Sequence, residues 1–277
     1  MNIPPRFRWL SAAILFGVVL GVAGVYLKRS SDVFRQHQEA VPKLQAMESS
    51  GVDELKEIVA TGQPPENVAG RIYDYTDRIG EVASTMGAAE RKPLLAAQRV
   101  FAQMAPQMAV YEKTFKELDA AGGSSPATLG SQEVIRDRIA MVKRFQVANH
   151  ALLEFYRSVE TSYRVELDKE GLTSAVKSQV MNGFRNGACV DVNLTIRESD
   201  EKIAVILLKL LELFSREWGD WKVQDAGELA FEHDVALTEY HVLQDELRAV
   251  SARQQAAQKE LLKRTEQQQK QKRPGSA

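Results

Sequence analysis

The sequence predicts a predominantly all-α protein: an N-terminal transmembrane helix, then a bundle of long helices with coiled-coil-like seams, and one small β-hairpin near residues 221–231. Three observations predict it. Residues 9–27 (WLSAAILFGVVLGVAGVYL) carry no charge. Beyond position 68, apolar residues recur in alternating steps of four and three, the spacing of a helix with one buried stripe. With 17 Gly and 9 Pro in 277 residues, the chain is neither collagen-like nor a Gly/Pro-rich disordered polymer.

The apolar run comes first. Nineteen helical residues at about 1.5 Å each span roughly 29 Å, close to the thickness of a bilayer's hydrocarbon core. Arg6, Arg8 and Trp9 flank one end and Tyr26, Lys28 and Arg29 the other, as interfacial anchors do. The run exceeds the 7–15 residues usual in the apolar part of a cleaved signal peptide, so a retained signal anchor is expected. The Gly17/Gly21 spacing reads as composition rather than a dimer motif. A short arm with two arginines resists crossing, which places the bulk of the chain outside the cytoplasm (periplasmic if bacterial). The alternative, a cytoplasmic bulk, follows from counting positives alone, because the downstream flank also carries Arg35 and Lys43.

The elements then follow in order. Ser31 and Asp32 can cap a helix over 31–49 that Pro42 interrupts, and Pro64-Pro65 marks a break. Val68, Ile72, Tyr75, Ile79, Val82 and Met86 form one seam. Leu94, Ala97, Phe101, Met104, Met108, Tyr111, Phe115 and Leu118 form a second, with Pro93 in its first turn and a kink expected at Pro106. A third helix, Gln132 to Lys169, buries Val134, Met141, Phe145, Ala148, Leu152, Phe155 and Val159, and Gly171 stops it. After it comes a short helix weakened by Gly183 and Gly187. Residues 190–197 alternate with a strand-like period of two, although helix is also compatible. Ser199-Asp200-Glu201 would start an apolar helix over 200–218. Trp221 and Val223 should face Leu229 and Phe231 across a Gly-containing turn. A last helix begins near Asp234 and carries Tyr240, Leu243, Leu247, Val250, Ala257 and Leu261. The chain thus divides into an arm (1–8), the transmembrane helix (9–27), a helical bundle region (28–170), a second helical region with the hairpin and C-terminal helix (171–262), and a disordered polar, basic tail (263–277).

No catalytic, cofactor-binding or metal-ligating residue stands out. The single Cys189 excludes a disulfide framework and Cys-rich metal sites. No phosphate-binding glycine loop, dinucleotide fingerprint or nucleophile elbow occurs. His150/Glu154 and His241/Asp245 each offer two donors without a third, and surface hydrogen bonding explains them better. Asp74, Asp77 and Glu81 interleave with Arg71, Arg78 and Arg91, the pattern of a solvated helix face. Asn193-Leu194-Thr195 matches the glycosylation triplet in an apolar context.

Net charge is −1, which argues against nucleic acid as a partner. Charge is nevertheless uneven: residues 248–273 hold eight Lys/Arg and two Asp/Glu, whereas 48–91 hold nine acidic and four basic residues. The expected partners are membrane lipid through 9–27 and either another protein or a second copy. The expected function is a non-catalytic scaffold or interaction module at the membrane surface. The alternative is an extracytoplasmic sensing bundle that signals through a partner, with Tyr73, Tyr75, Tyr111 or Tyr156 lining a pocket between helices. An enzyme with a dispersed site is the lesser alternative.

Overall fold

The computed structural model describes residues 67–224 and 229–272, together with 43, 46, 49, 50, 52, 53 and 56, which are helical. The expected transmembrane helix at 9–27, the Pro42 break, the Pro64-Pro65 break and the hairpin turn at 225–228 lie outside these residues. Among the described residues no helix is long and apolar enough to cross a membrane. The short apolar run 203–214 sits inside a buried helix, with Ile203, Leu210, Leu211, Leu213 and Phe214 fully buried.

Beyond residue 66 the described residues form six α-helices and one hairpin: α1 (Val68–Ser84), α2 (Arg91–Ala120), α3 (Gln132–Lys169), α4 (Ser174–Gly187), α5 (Val190–Arg216), β1 (Trp221–Val223), β2 (Leu229–Phe231) and α6 (Asp234–Lys272). The main helix contacts run α1 on α2, α2 on α3, α3 on α5, and α5 on α6. Cross-helix bonds show that α1 and α2, α2 and α3, and α5 and α6 run antiparallel. Gln98 reaches Thr76 while Glu112 reaches Ala69; Arg99 pairs with Glu166 while Arg144 pairs with Glu117. Asp191 pairs with Arg264 while Arg216 pairs with Glu239. The short connections from α1 to α2 and from α2 to α3 favour this arrangement.

The predicted seams are the core. Val68, Ile72, Tyr75, Ile79 and Val82 are buried on α1, and all eight predicted residues on α2 are buried. On α3, Phe145, Ala148, Leu152, Phe155 and Val159 are buried, with Val134 and Met141 packed at the edge. The helix ends follow local chemistry. The Ser131 hydroxyl accepts from Val134 N at 3.2 Å to start α3, and Gly171 ends it in the left-handed region at φ 64°. Pro106 lies on the exposed side of α2, which continues through it. A missing N–H is tolerated there because the affected carbonyl is open to water. The predicted hairpin forms, with Trp221 opposite Phe231 and Val223 opposite Leu229. It rests on the bundle through Trp221 Nε1, which donates to Phe214 O at 3.0 Å, and through the stacked Phe214 and Phe231 rings.

Two expectations are corrected. Residues 190–197 are helix, not strand, and Ser199-Asp200-Glu201 lie inside α5 rather than starting it. The alternation misleads because the helix's buried face is half polar: Val192, Asn193, Ile196, Arg197 and Asp200 are all buried at helical spacing. Burial of Asn193, whose amide donates to Cys189 O at 3.1 Å, also removes it as a glycosylation acceptor. Second, residues 263–272, expected in a disordered tail, are helical: α6 runs to Lys272, and 273–277 lie outside the described residues. The buried stripe of α6 runs through Gln254, Gln258, Leu261 and Thr265, so polar residues carry it past the last leucines. Polar residues in the buried stripe conceal a helix from any reading based on apolar spacing.

Candidate functional site: a buried charged layer under the C-terminal helix

The residues that conceal α5 and α6 meet in one place. Arg197 and Asp200, one turn apart on α5, are 1% and 2% exposed, and Arg197 Nη2 lies 3.2 Å from Asp200 Oδ2. Helix α2 contributes Tyr111, whose hydroxyl donates to Asp200 Oδ2 at 2.8 Å and whose ring lies 4.6 Å beneath the Arg197 guanidinium. Helix α6 contributes Gln254, whose amide donates to Asp200 Oδ1. Helix α3 contributes Asn149, which donates to Arg197 O at 3.0 Å and to Glu201 Oε2 at 3.1 Å, while Gln146 donates to Glu201 Oε1 at 3.0 Å. Four helices therefore converge on one ion pair.

Burial and pairing act against each other in this layer. Burial opposes the Arg197 charge, but Tyr111, Asp200 and Tyr156 around it outweigh that cost and hold the guanidinium above its ordinary range. Burial pushes Asp200 upward, countered by Arg197, Tyr111 and Gln254. Burial drives the Tyr111 phenol well above its usual value, so it stays a donor. A paired, hydrogen-bonded charge in the interior adds little net stability against an apolar replacement, yet it penalises any register that separates the partners. The layer thus positions α6 along α5. It holds neither a nucleophile with an adjacent base nor an opening to solvent.

α6 spans about 58 Å at 1.5 Å per residue. Along its last turns Arg264 Nη1 makes two bonds to Asp191, 3.0 and 2.8 Å, and Gln268 Nε2 donates to Asn186 O at 2.7 Å. A satellite apolar cluster of Cys189, Val192, Ile196, Ala257 and Leu261 closes beneath them. Cys189 is buried, in the left-handed region at φ 46°, and burial raises its thiol. Its place at the N-cap of α5 and the nearby Arg264 and Gln268 favour the thiolate, but burial outweighs them and keeps the thiol unreactive. The outer face of α6 is solvated, with Arg253, Lys259, Lys263 and Lys270 exposed.

The residues weighed in the sequence fall elsewhere. His150 and His241 are exposed; Glu154 pairs with Arg157, and Asp245 with Arg248. Asp74, Asp77 and Glu81 lie on the open face of α1. Tyr75, Tyr111 and Tyr156 are packed in the core and Tyr73 is half exposed, so these four do not share a pocket wall. A different trio does gather: Glu217, Asp220 and His233 place one donor atom each within 4.8 Å of one another, where α5 hands over to the hairpin. His233 Nδ1 lies 3.2 Å from Glu217 Oε2, and Arg216 binds the same carboxylate at 2.8 Å. The trio clasps the hairpin to α5, and its donor types are those a divalent metal accepts.

Sequence reasoning missed Arg197 and Asp200 as a unit. The available signal was the Asn193, Arg197, Asp200 spacing of four and three, a helical stripe written in polar residues. Comparison of the chain with known protein families, curated proteins and solved structures finds no match.

Proposed function

We propose that this protein is a non-catalytic interaction module tethered to a membrane by residues 9–27. One observation carries the reading: a 19-residue run without a charge, flanked by Arg8 and Trp9 before and Tyr26, Lys28 and Arg29 after, precedes a bundle that satisfies its own core. Such a run has no place in the solvated surface of that bundle, and its length matches a bilayer. Supporting it, the polar layer positions a long helix whose outer face is basic. That face gives a partner a rigid, charged surface, and charge complementarity there would set orientation and encounter rate.

Membrane fractionation with a carbonate wash tests the tether. The full chain is expected to stay with the membrane and a chain lacking residues 1–30 to be released. Appearance of a shortened chain in the soluble fraction overturns the tether. Photo-crosslinking from Lys259 or Lys263 positions in intact membranes tests the interaction. One discrete adduct, to a second copy or another protein, is expected. Absence of any adduct along α6 removes the module reading.

A further inference from the structure

A cleft of about 270 Å³ opens between the C-terminal turns of α3 and the outer side of α4. Three cations line it: Arg164 from α3, and Lys177 and Arg185 from α4. Among the described residues two carboxylates answer them. Glu160 takes both guanidiniums, Arg185 at 2.5 Å and Arg164 at 3.3 Å, and Asp168 takes Lys177 at 2.6 Å. One positive charge is therefore left over. The Arg185 hydrogen bond, then its charge and that of Arg164, hold the Glu160 carboxyl below its usual range against the opposing effect of burial, so this carboxylate does not neutralise itself by taking a proton.

The other wall is made of uncommitted polar ends. Ser174, Ser178 and Asn182 follow one another at four-residue steps along α4, about 6 Å apart. All three are exposed, and their side chains make no hydrogen bond among the described residues. Ser174 is also the first residue of α4, so the positive end of that helix faces the same space. A cleft with surplus positive charge, two forked guanidiniums, an ammonium and two hydroxyls suits a small tetrahedral anion with several acceptor oxygens. An apolar ligand has only Met181 to contact.

We propose that this α3–α4 cleft binds a phosphate-bearing anion, supplied either as a free phosphate or small phosphomonoester or as the monoester headgroup of an anionic lipid. Arg185 and Lys177 provide the charge. Ser178 sits at the middle of the polar wall and sets the fit.

The full chain in neutral detergent is titrated calorimetrically with inorganic phosphate and with glycerol 3-phosphate. In parallel, its melting temperature is measured in phosphatidylcholine nanodiscs with and without phosphatidic acid. Saturable binding in the first arm or a raised melting temperature in the second supports the site, and the responding arm names the source. Arg185→Gln should weaken binding about tenfold or more, the ordinary cost of losing a charged donor. Ser178→Asp, at an exposed position that leaves the three ion pairs in place, should abolish it without lowering helical content by circular dichroism. Arg144→Gln, a surface partner of Glu117 away from the cleft, should leave it unchanged. No response in either arm overturns the proposal, and so does equal binding by Ser178→Asp.

Discussion

The bundle contains two kinds of helix interface. Between α1, α2 and α3 the contact is almost wholly apolar: Ile79, Leu94, Phe101, Met104, Met108 and Leu152 are at most 1% exposed. Between α5 and α6 it is mixed, with Asn193, Arg197, Asp200, Gln254, Gln258 and Thr265 buried beside Ile196, Ala257 and Leu261. Apolar seams supply stability in proportion to the area removed from water and tolerate small slips. A polar seam contributes little net energy and tolerates no slip, because each displaced donor is left dry. The first interface holds the fold together, and the second sets where a long helix lies.

The largest effects should separate these two roles. Phe101→Ala removes a fully buried ring and should cost about 3–5 kcal/mol; urea unfolding should show a lower midpoint. Arg197→Ala should cost a similar amount, about 3–5 kcal/mol, for a different reason: it strands a buried carboxylate. The distinction lies in the repair. Replacing both charges, Arg197→Met with Asp200→Leu, should recover most of that loss, while no second change that only removes side-chain volume will rescue Phe101→Ala. Failure of the double replacement to recover stability would mean that the layer is itself a major source of folding energy.

The difference between the interfaces also explains what could be read from the sequence. The α1–α3 seams were legible residue by residue, and so was the hairpin, because burial there is apolar and keeps its period. Residues 190–197 and 263–272 were not. A helix that buries Asn193, Arg197 and Asp200 leaves only Val190, Val192, Leu194 and Ile196 for an apolar pattern to find, and those alternate. The candidate site was illegible for the same reason: its members come from α2, α3, α5 and α6, and each is unremarkable alone. The α3–α4 cleft was hidden more simply, since Arg164 and Arg185 are distant in sequence and meet only at Glu160.

A smaller effect tests the register role directly. Gln254→Ala removes one donor from Asp200 and should cost about 1–3 kcal/mol, the price of a buried acceptor left short. The thiol of Cys189 reports the consequence, because the end of α6 covers it and Gln268 Nε2 lies 3.9 Å from its sulfur. Reaction with a thiol reagent under native conditions should be slow in the parent chain and faster in Gln254→Ala. A weakening of the apolar interface of similar size, Ile79→Val at about 0.5–1.5 kcal/mol, should leave the rate unchanged. Equal acceleration by both would show that the two interfaces open together.

The smallest effect concerns acid, and it belongs to the edge of the α2–α3 interface. Glu166 accepts from Lys169 at 2.6 Å and from Arg99 at 2.7 Å, and Arg99 also reaches Glu170 at 2.5 Å. The Lys169 hydrogen bond first, then that of Arg99, holds the Glu166 carboxyl below its ordinary value against the contrary pull of burial. A carboxyl depressed in the folded state releases its proton more readily there than in the unfolded chain. Its contribution is therefore complete above the unfolded glutamate value, about 4.3, and is lost as pH falls through the lower folded value. The melting temperature should fall through that acid window, and Glu166→Gln should flatten the fall while lowering the neutral-pH plateau slightly. Because Arg99 is about two-fifths exposed, water and salt screen the pair, so added salt should shrink the difference between the two chains. A salt-independent difference would place the clasp inside the core, and the α2–α3 interface would then depend on charge as the α5–α6 interface does.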